Sequence, residues 1–158
     1  MIITAIITVI AAYLLGSINF AVIFSNAFMK KDVRDLGSGN AGTTNVMRTA
    51  GFLPGALTFI CDALKGFVAC YLGKAIFDYI YITDGSEWAL PVYGAFICGL
   101  ACMLGHVFPI FYQFKGGKGV ATSVGIFSVC CPLAIISGLV VFALLTILTR
   151  YVSLSSII

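Results

Sequence analysis

The fold that this sequence predicts is all-α, a polytopic bundle of transmembrane helices, and three observations predict it. Hydrophobic residues fill 61% of the 158 positions and charged residues 9%, with a mean hydropathy of +1.10, which is far from a soluble domain. Residues 2 to 28, 88 to 114 and 119 to 149 contain no Asp, Glu, Lys or Arg. Each of these runs exceeds the roughly 20 residues that cross about 30 Å of hydrocarbon as a helix. Barrel strands would alternate apolar and polar residues, and these continuous runs do not, so their backbone must be satisfied inside helices. About five helices or helix segments are expected, forming one integral membrane domain over residues 1–158.

The first run, 2 to 28, reads as a retained helix. It lacks a basic n-region, and its apolar length is roughly twice the 7 to 15 residues of a secretory signal. Ser17 and Asn19 within it are candidates for polar contacts between helices. A second apolar helix is expected over 53 to 77, although it holds Asp62, Lys65 and Lys74. Asp62 and Lys65 stand i,i+3 on one helix face, where they either neutralise each other as packing or orient a loop at a site. The third helix, 88 to 114, carries the only histidine, His106, which serves either a structural hydrogen bond or a proton transfer. As one helix the run 119 to 149 would reach about 46 Å, so Pro132 is predicted to divide it. A segment of about ten residues then goes partway across, and roughly 17 residues return.

Charge distribution orients these elements, because cytoplasmic loops are enriched in Lys and Arg. Lys30, Lys31, Arg34 and Arg48 lie in 29 to 52, whereas 78 to 87 has Asp78, Asp84 and Glu87 and no basic residue. Tyr79, Tyr81 and Trp88 flank that acidic segment as an interfacial belt would. The N-terminus is therefore expected outside, and the polar patches at 29 to 52, 113 to 122 and 150 to 156 are expected to share the cytoplasmic face. Six cysteines sit inside apolar runs with no CxxC pair, and they read as small buried side chains. No metal-ligand cluster is seen, and no cofactor is expected.

Two glycine-rich segments carry the chemistry. Gly37-Ser38-Gly39-Asn40-Ala41-Gly42-Thr43-Thr44-Asn45 opens with a formal GxGxxG. The dinucleotide reading fails, since that motif needs a buried strand before it and a βαβ unit around it, and here Lys30 to Asp35 precede. What survives is an anion loop. Glycine N–H groups can face a negative charge, the side chains of Ser38, Asn40, Thr43, Thr44 and Asn45 can add hydrogen bonds, and Arg48 follows. The plain alternative is a flexible polar loop. Phe114-Lys115-Gly116-Gly117-Lys118-Gly119-Val120-Ala121-Thr122 is the second segment. It is not a Walker A loop, because no Ser or Thr follows Lys118 and the leading glycine is missing, so nucleoside triphosphates are not implied. Lys115 and Lys118 could be simple topology signals or headgroup contacts, but a mere anchor does not need three interleaved glycines.

These two segments, with Asp62-Ala63-Leu64-Lys65-Gly66, Gly105-His106-Val107-Phe108-Pro109 and Arg150-Tyr151-Val152-Ser153-Leu154, closely resemble the bacterial acyl-phosphate:glycerol-3-phosphate acyltransferase family, PlsY. The resemblance covers essentially the whole chain. It implies a multi-pass enzyme of the bacterial inner membrane with a cytoplasmic-facing site, which moves a fatty acyl group from acyl phosphate to sn-glycerol 3-phosphate and yields lysophosphatidic acid. It also implies further helices and a third cytoplasmic motif, so relative to the family the chain, ending at Ile158, is expected to be C-terminally short. Thr44 stands where many relatives have Ala.

By this reading the candidate catalytic residues are Ser38, His106 and Lys118. Gly37, Gly39, Asn40, Gly42, Thr43, Asn45 and Arg48 from the first segment, Lys115, Gly116, Gly117 and Gly119 from the second, and Ser153 are the candidate phosphate and substrate contacts. The expected partners are acyl phosphate, glycerol 3-phosphate and membrane lipids, with no nucleic acid. There is no GxSxG elbow and no Cys/His pairing, so a covalent acyl-enzyme has no obvious nucleophile. An acyl phosphate is a mixed anhydride that a hydroxyl can attack directly once both substrates are aligned and their charge is balanced. The proton goes either to a substrate phosphate, as the resemblance favours, or to His106. Competing readings are an anion or phosphate transporter with Asp62 and Lys65 along its path, an inactive truncated relative, and a structural subunit. No internal repeat is found, which a transporter would usually show.

Overall fold

The structure, a computed structural model, describes residues 1–150. Seven α-helices follow one another among the described residues: α1 (Ile2–Ser17), α2 (Phe20–Met29), α3 (Thr43–Ala50), α4 (Phe52–Asp84), α5 (Pro91–Val107), α6 (Val120–Cys130) and α7 (Pro132–Thr149). Single 3₁₀ turns at Val33–Asp35, Glu87–Ala89 and Ile110–Tyr112 interrupt the connections. Four stretches are long and apolar enough to cross a membrane: Ile2–Met29, Phe52–Asp84, Pro91–Tyr112 and Pro132–Thr149. α4 is the central post, with α5 and α6 packed along it, and α1 lies along α5.

The bundle is inside-out relative to a water-soluble one. Ile7, Leu64, Leu100 and Leu148 are exposed, while Ser17, Thr58, Asp62, Lys65, His106 and Thr122 are buried. Lipid is as apolar as leucine, so helices gain little by hiding large apolar side chains and gain more from close backbone approach and interior polar contacts. Gly73 of α4 and Gly94 of α5 illustrate this, since a Cβ on either would strike the other's carbonyl oxygen.

The first run is not one helix, contrary to expectation. α1 ends at Ser17, Ile18 is extended, and α2 restarts after Asn19, whose Oδ1 accepts from the Val22 N–H at 3.2 Å. A helix end at membrane depth leaves carbonyls without partners. Lys65 of α4 supplies them: its ammonium donates to the carbonyl oxygens of Gly16 (2.9 Å) and Ile18 (2.7 Å) and pairs with Asp62 Oδ1 at 2.9 Å. The expected intramembrane pair is therefore a triple junction that stabilises a break in a neighbouring helix.

The other boundaries shift for local reasons. α4 does not stop near residue 77 but continues to Asp84, a 33-residue rod of about 50 Å that carries the acidic segment on its end, until Gly85 turns left-handed at φ 62°. α5 is shorter than the apolar run because Pro109 cannot continue the helix past Phe108. The predicted break at Pro132 is present. Cys131 is non-helical before the proline, and α7 begins there with Pro132 in its first turn. α7 packs on α6 and is otherwise open, with Ile135, Phe142, Leu145 and Thr146 half-buried along one helical face.

Lys65→Met should remove the helix-break partners and strand the Asp62 carboxylate in an apolar interior, a loss of about 3–5 kcal/mol. Thermal unfolding of the purified protein in detergent measures it. Asp62→Asn/Lys65→Met should recover part of the loss, and an unchanged midpoint for Lys65→Met would show that the carbonyls find other donors.

Candidate active site

The first glycine segment is organised by one buried amide. Asn45, in the first turn of α3, donates from Nδ2 to the carbonyls of Val33 (3.0 Å), Leu36 (2.9 Å) and Asn40 (3.1 Å), and its Oδ1 accepts from the Ser38 N–H at 3.0 Å. Gly37 is required beside it, at φ 57°, because a Cβ would run into Asn45 Oδ1. Arg34 fastens the same segment to the next loop. It forms a short ion pair with Asp32 at 2.7 Å, donates to the Tyr112 carbonyl at 3.2 Å and lies 5.5 Å from the centre of the Tyr112 ring. The Arg34 guanidinium holds the Asp32 carboxyl below its ordinary value, so this clasp is complete at neutral pH and is lost only as pH falls through that lowered value.

The second segment doubles back on the end of α5. The N–H groups of Gly116 and Gly117 donate to the carbonyls of Val107 and His106, each at 3.2 Å, satisfying two of the helix's terminal acceptors. Tyr13 of α1 donates to the Phe108 carbonyl at 2.8 Å, and Ser17 Oγ accepts from the Ile110 N–H at 3.4 Å, so the turn is also tied to α1. Gln113 and Phe114 both adopt left-handed backbone, which reverses the chain ahead of Lys115. Gly119 at φ 81° then starts α6.

Between these segments lies a cavity of about 620 Å³ with two chemically distinct ends. Ser38, Asn40, Thr43, Thr44, Arg48, Asp62, His106 and Lys118 line its polar part; Met47, Ala56, Phe59, Ile60, Val120, Ala121 and Phe142 line an apolar wall. Two helices begin at the polar part, α3 after Gly42 and α6 after Gly119, and the N–H groups of a first helical turn have no intrahelical acceptor. Two partial positive charges and two cations thus meet in one place, an arrangement suited to a phosphate or to more than one. Behind the polar part, Asp62 Oδ1 stands 3.6 Å from His106 Nδ1, and both residues are buried.

Of the residues singled out in the sequence, Ser38, Asn40, Gly42, Thr43, Asn45, Arg48, His106, Lys118 and Gly119 line this one cavity. Gly37, Gly39, Lys115, Gly116 and Gly117 do not line it, and Ser153 lies outside the described residues. The loop glycines correct the sequence reading. Gly39, Gly42, Gly116 and Gly117 direct their N–H groups to carbonyls of the protein, so the free donors come from the helix starts instead. Asn45 is likewise committed to the loop carbonyls. The apolar wall was not foreseen, and only the small and apolar residues flanking Arg48 and Asp62 hinted at it.

A membrane-embedded helical bundle holding a cavity that is phosphate-suited at one end and lipid-like at the other defines a class of protein that handles amphipathic phosphates. The glycerol-3-phosphate acyltransferase family model matches residues 6–158. "Glycerol-3-phosphate acyltransferase 2" of Bacillus anthracis is 46% identical over 151 residues, covering 96% of this chain and 73% of that protein. The glycerol-3-phosphate acyltransferase of Thermoanaerobacter sp. (strain X514) is 42% identical over 153 residues, 97% of this chain and 71% of that one. Among solved structures, PlsY (YgiH), an integral membrane glycerol 3-phosphate acyltransferase, superposes in its glycerol 3-phosphate form with a TM-score of 0.79 at 38% identity, over 97% of this chain and 70% of that one. Its lysophosphatidic acid form gives a TM-score of 0.75. The chain belongs to the glycerol-3-phosphate acyltransferase family, a family of membrane acyltransferases.

Gly117→Ala should be costly, since its Cβ would meet both His106 Nε2 and the Ala41 carbonyl oxygen. Overpacking of this kind costs about 1–3 kcal/mol. Gly85→Ala, at φ 62° with nothing within 4 Å, bears only a backbone term of about 1 kcal/mol. Comparing the two unfolding midpoints in detergent separates contact from conformation, and equal shifts would contradict the close packing.

Proposed function

We propose that this chain transfers a fatty acyl group from acyl phosphate to sn-glycerol 3-phosphate, releasing lysophosphatidic acid and inorganic phosphate. The observation that carries this reading is the single cavity joining a cation-lined polar part to an apolar wall. A donor with a long acyl chain and a phosphate needs both environments, and a second phosphate substrate needs further positive potential beside the first. Arg48, Lys118 and the starts of α3 and α6 offer that potential; Ser38, Asn40 and Thr43 add neutral hydrogen-bonding groups. The apolar side chains of Met47, Phe59, Ile60 and Phe142 along the cavity wall suit the acyl chain.

The acyl carbonyl is activated by its own leaving group, so the chain's part is alignment and charge balance. The glycerol hydroxyl oxygen attacks the carbonyl carbon, the carbon–oxygen bond to phosphate breaks, and phosphate departs with the electron pair and takes up the hydroxyl proton while Lys118 and Arg48 hold its charge. No covalent acyl-enzyme is required. The excess of Lys and Arg in 29 to 52 over the acidic 78 to 87 supports an orientation with the site at the cytoplasmic face of the bacterial inner membrane and the N-terminus outside.

Reconstituted protein given acyl phosphate and glycerol 3-phosphate should form lysophosphatidic acid and phosphate in equal amounts; phosphate flux without acyl transfer, or neither, overturns the reading. Lys118→Ala should lower kcat by about 10²-fold or more, whereas Lys115→Ala, outside the cavity, should stay within about threefold. Near-normal turnover by Lys118→Ala would remove that lysine from the site. For orientation, a membrane-impermeant maleimide should label Arg150→Cys from the cytoplasmic side and Glu87→Cys from the outer side, and the reverse pattern would invert the topology.

A further inference from the structure

Three lysines take no part in the cavity and have no partner elsewhere. Lys30, Lys31 and Lys115 are exposed, and among the described residues none of their ammonium groups forms a hydrogen bond or an ion pair. Each stands just past the end of a span: Lys30 and Lys31 follow Ile2–Met29 at once, and Lys115 comes shortly after Pro91–Tyr112. Cations in that position lie at the depth of lipid headgroups, whichever way the protein faces. Aromatic residues carry the apolar surface to the same edge, since Phe28, Phe111 and Phe114 are each more than half exposed.

The two groups of lysines are far apart in sequence, and the Arg34 clasp brings them together. The Tyr112 carbonyl accepts from Arg34 Nη1 at 3.2 Å and from the Lys115 N–H at 3.1 Å, so Lys115 starts at the very carbonyl that Arg34 holds. On the other side, Lys30 takes left-handed backbone at φ 55° as α2 ends, and the Val33 N–H donates to Ser25 Oγ at 3.1 Å, which folds 30 to 33 back against α2. Gln113 and Phe114 are left-handed too, a conformation that bulky residues avoid, and the bonds of Gly116 and Gly117 to the end of α5 hold them there. Asp32 neutralises Arg34, and exposed Asp35 is the one opposing charge left between residues 30 and 35. We propose that Lys30, Lys31 and Lys115, flanked by Phe28, Phe111 and Phe114, bind the headgroup of an anionic phospholipid at a site assembled by the Asp32–Arg34–Tyr112 clasp. The lipid phosphate accepts from the ammonium groups while the rings pack on the upper acyl chain. A phospholipid fits better than a soluble anion, because the rings are apolar and continue two spans. A headgroup that carries its own cation fits worse, because that cation would face three more.

Spin-labelled lipids in vesicles of reconstituted protein test this without turnover. Phosphatidylglycerol should associate with the wild type about fivefold or more strongly than phosphatidylcholine, and Lys30→Gln/Lys31→Gln should cut that preference below about twofold. A wild type that does not distinguish the two lipids overturns the proposal without any variant. Asp32→Asn/Arg34→Gln separates a built site from mere net charge, because it unties the two loops and leaves the charge of the chain unchanged. The preference should be lost, and its survival in this folded variant overturns the proposal. The two lysines are exposed and bonded to nothing described, so their variant should fold even where the clasp variant does not, and a wild-type preference in it is equally decisive against the site. Lys118→Ala, which removes a cation of the cavity, should keep the preference; losing it would place the lipid in the cavity instead. Inorganic phosphate should displace phosphatidylglycerol no better than chloride at equal ionic strength. Selective displacement by phosphate would mark a site for a soluble anion and overturn the lipid assignment.

Discussion

A lysine ammonium buried within the membrane, holding two carbonyls of a broken helix and one carboxylate, is the contact on which the rest of this structure depends. Without Lys65 the carbonyls of Gly16 and Ile18 would face hydrocarbon, and α1 would be driven to continue through Asn19 as one straight span. With it, the chain can stop, turn and restart as α2. The segment that follows, Lys30 to Gly42, is then delivered beside the start of α3 instead of beyond the end of a continuous rod. The same lysine fixes Asp62, and Asp62 in turn faces His106 at the foot of α5. One ionic junction thus links α1, α4 and α5 at the depth where the cavity opens.

Two loops complete that cavity, and each is rigid because its polar backbone is consumed locally. Asn45 takes three carbonyls and one N–H of the first loop; the end of α5 takes two N–H groups of the second. Arg34 then joins one loop to the other through Tyr112. Positive potential at the site consequently has two sources of different character. Arg48 and Lys118 are long, exposed side chains, while the starts of α3 and α6 are fixed in place by the packing of whole helices. Fixed dipoles need no reorganisation when charge moves during a reaction, which is the more useful property in an acyltransferase.

The lipid side of the site has a different logic. α6 is too short to span, and Pro132 turns the chain so that α7 comes back along it, bringing Phe142 to the cavity that also holds Gly119 and Val120. Residues of α3, α4, α6 and α7 together make the apolar wall, so it forms only when these four helices pack.

The sequence by itself determined the class of fold, the break at Pro132 and the family, because uncharged runs longer than a bilayer and long glycine-lysine motifs admit few other readings. It also picked out Ser38, Arg48, His106 and Lys118, which do meet at one cavity. What only the tertiary structure decided was where the backbone donors point and what each buried charge does. A glycine-rich string reads as free N–H groups, yet Gly116 and Gly117 close the end of α5, an assignment that depends on a helix end preceding them in space. The uncharged run 2 to 28 gave no sign of breaking, since the residue that makes the break tolerable, Lys65, lies on another helix 47 positions from Ile18. Periodicity and composition describe a segment's own preference for lipid. Partners that satisfy backbone groups across helices are settled only when the helices pack.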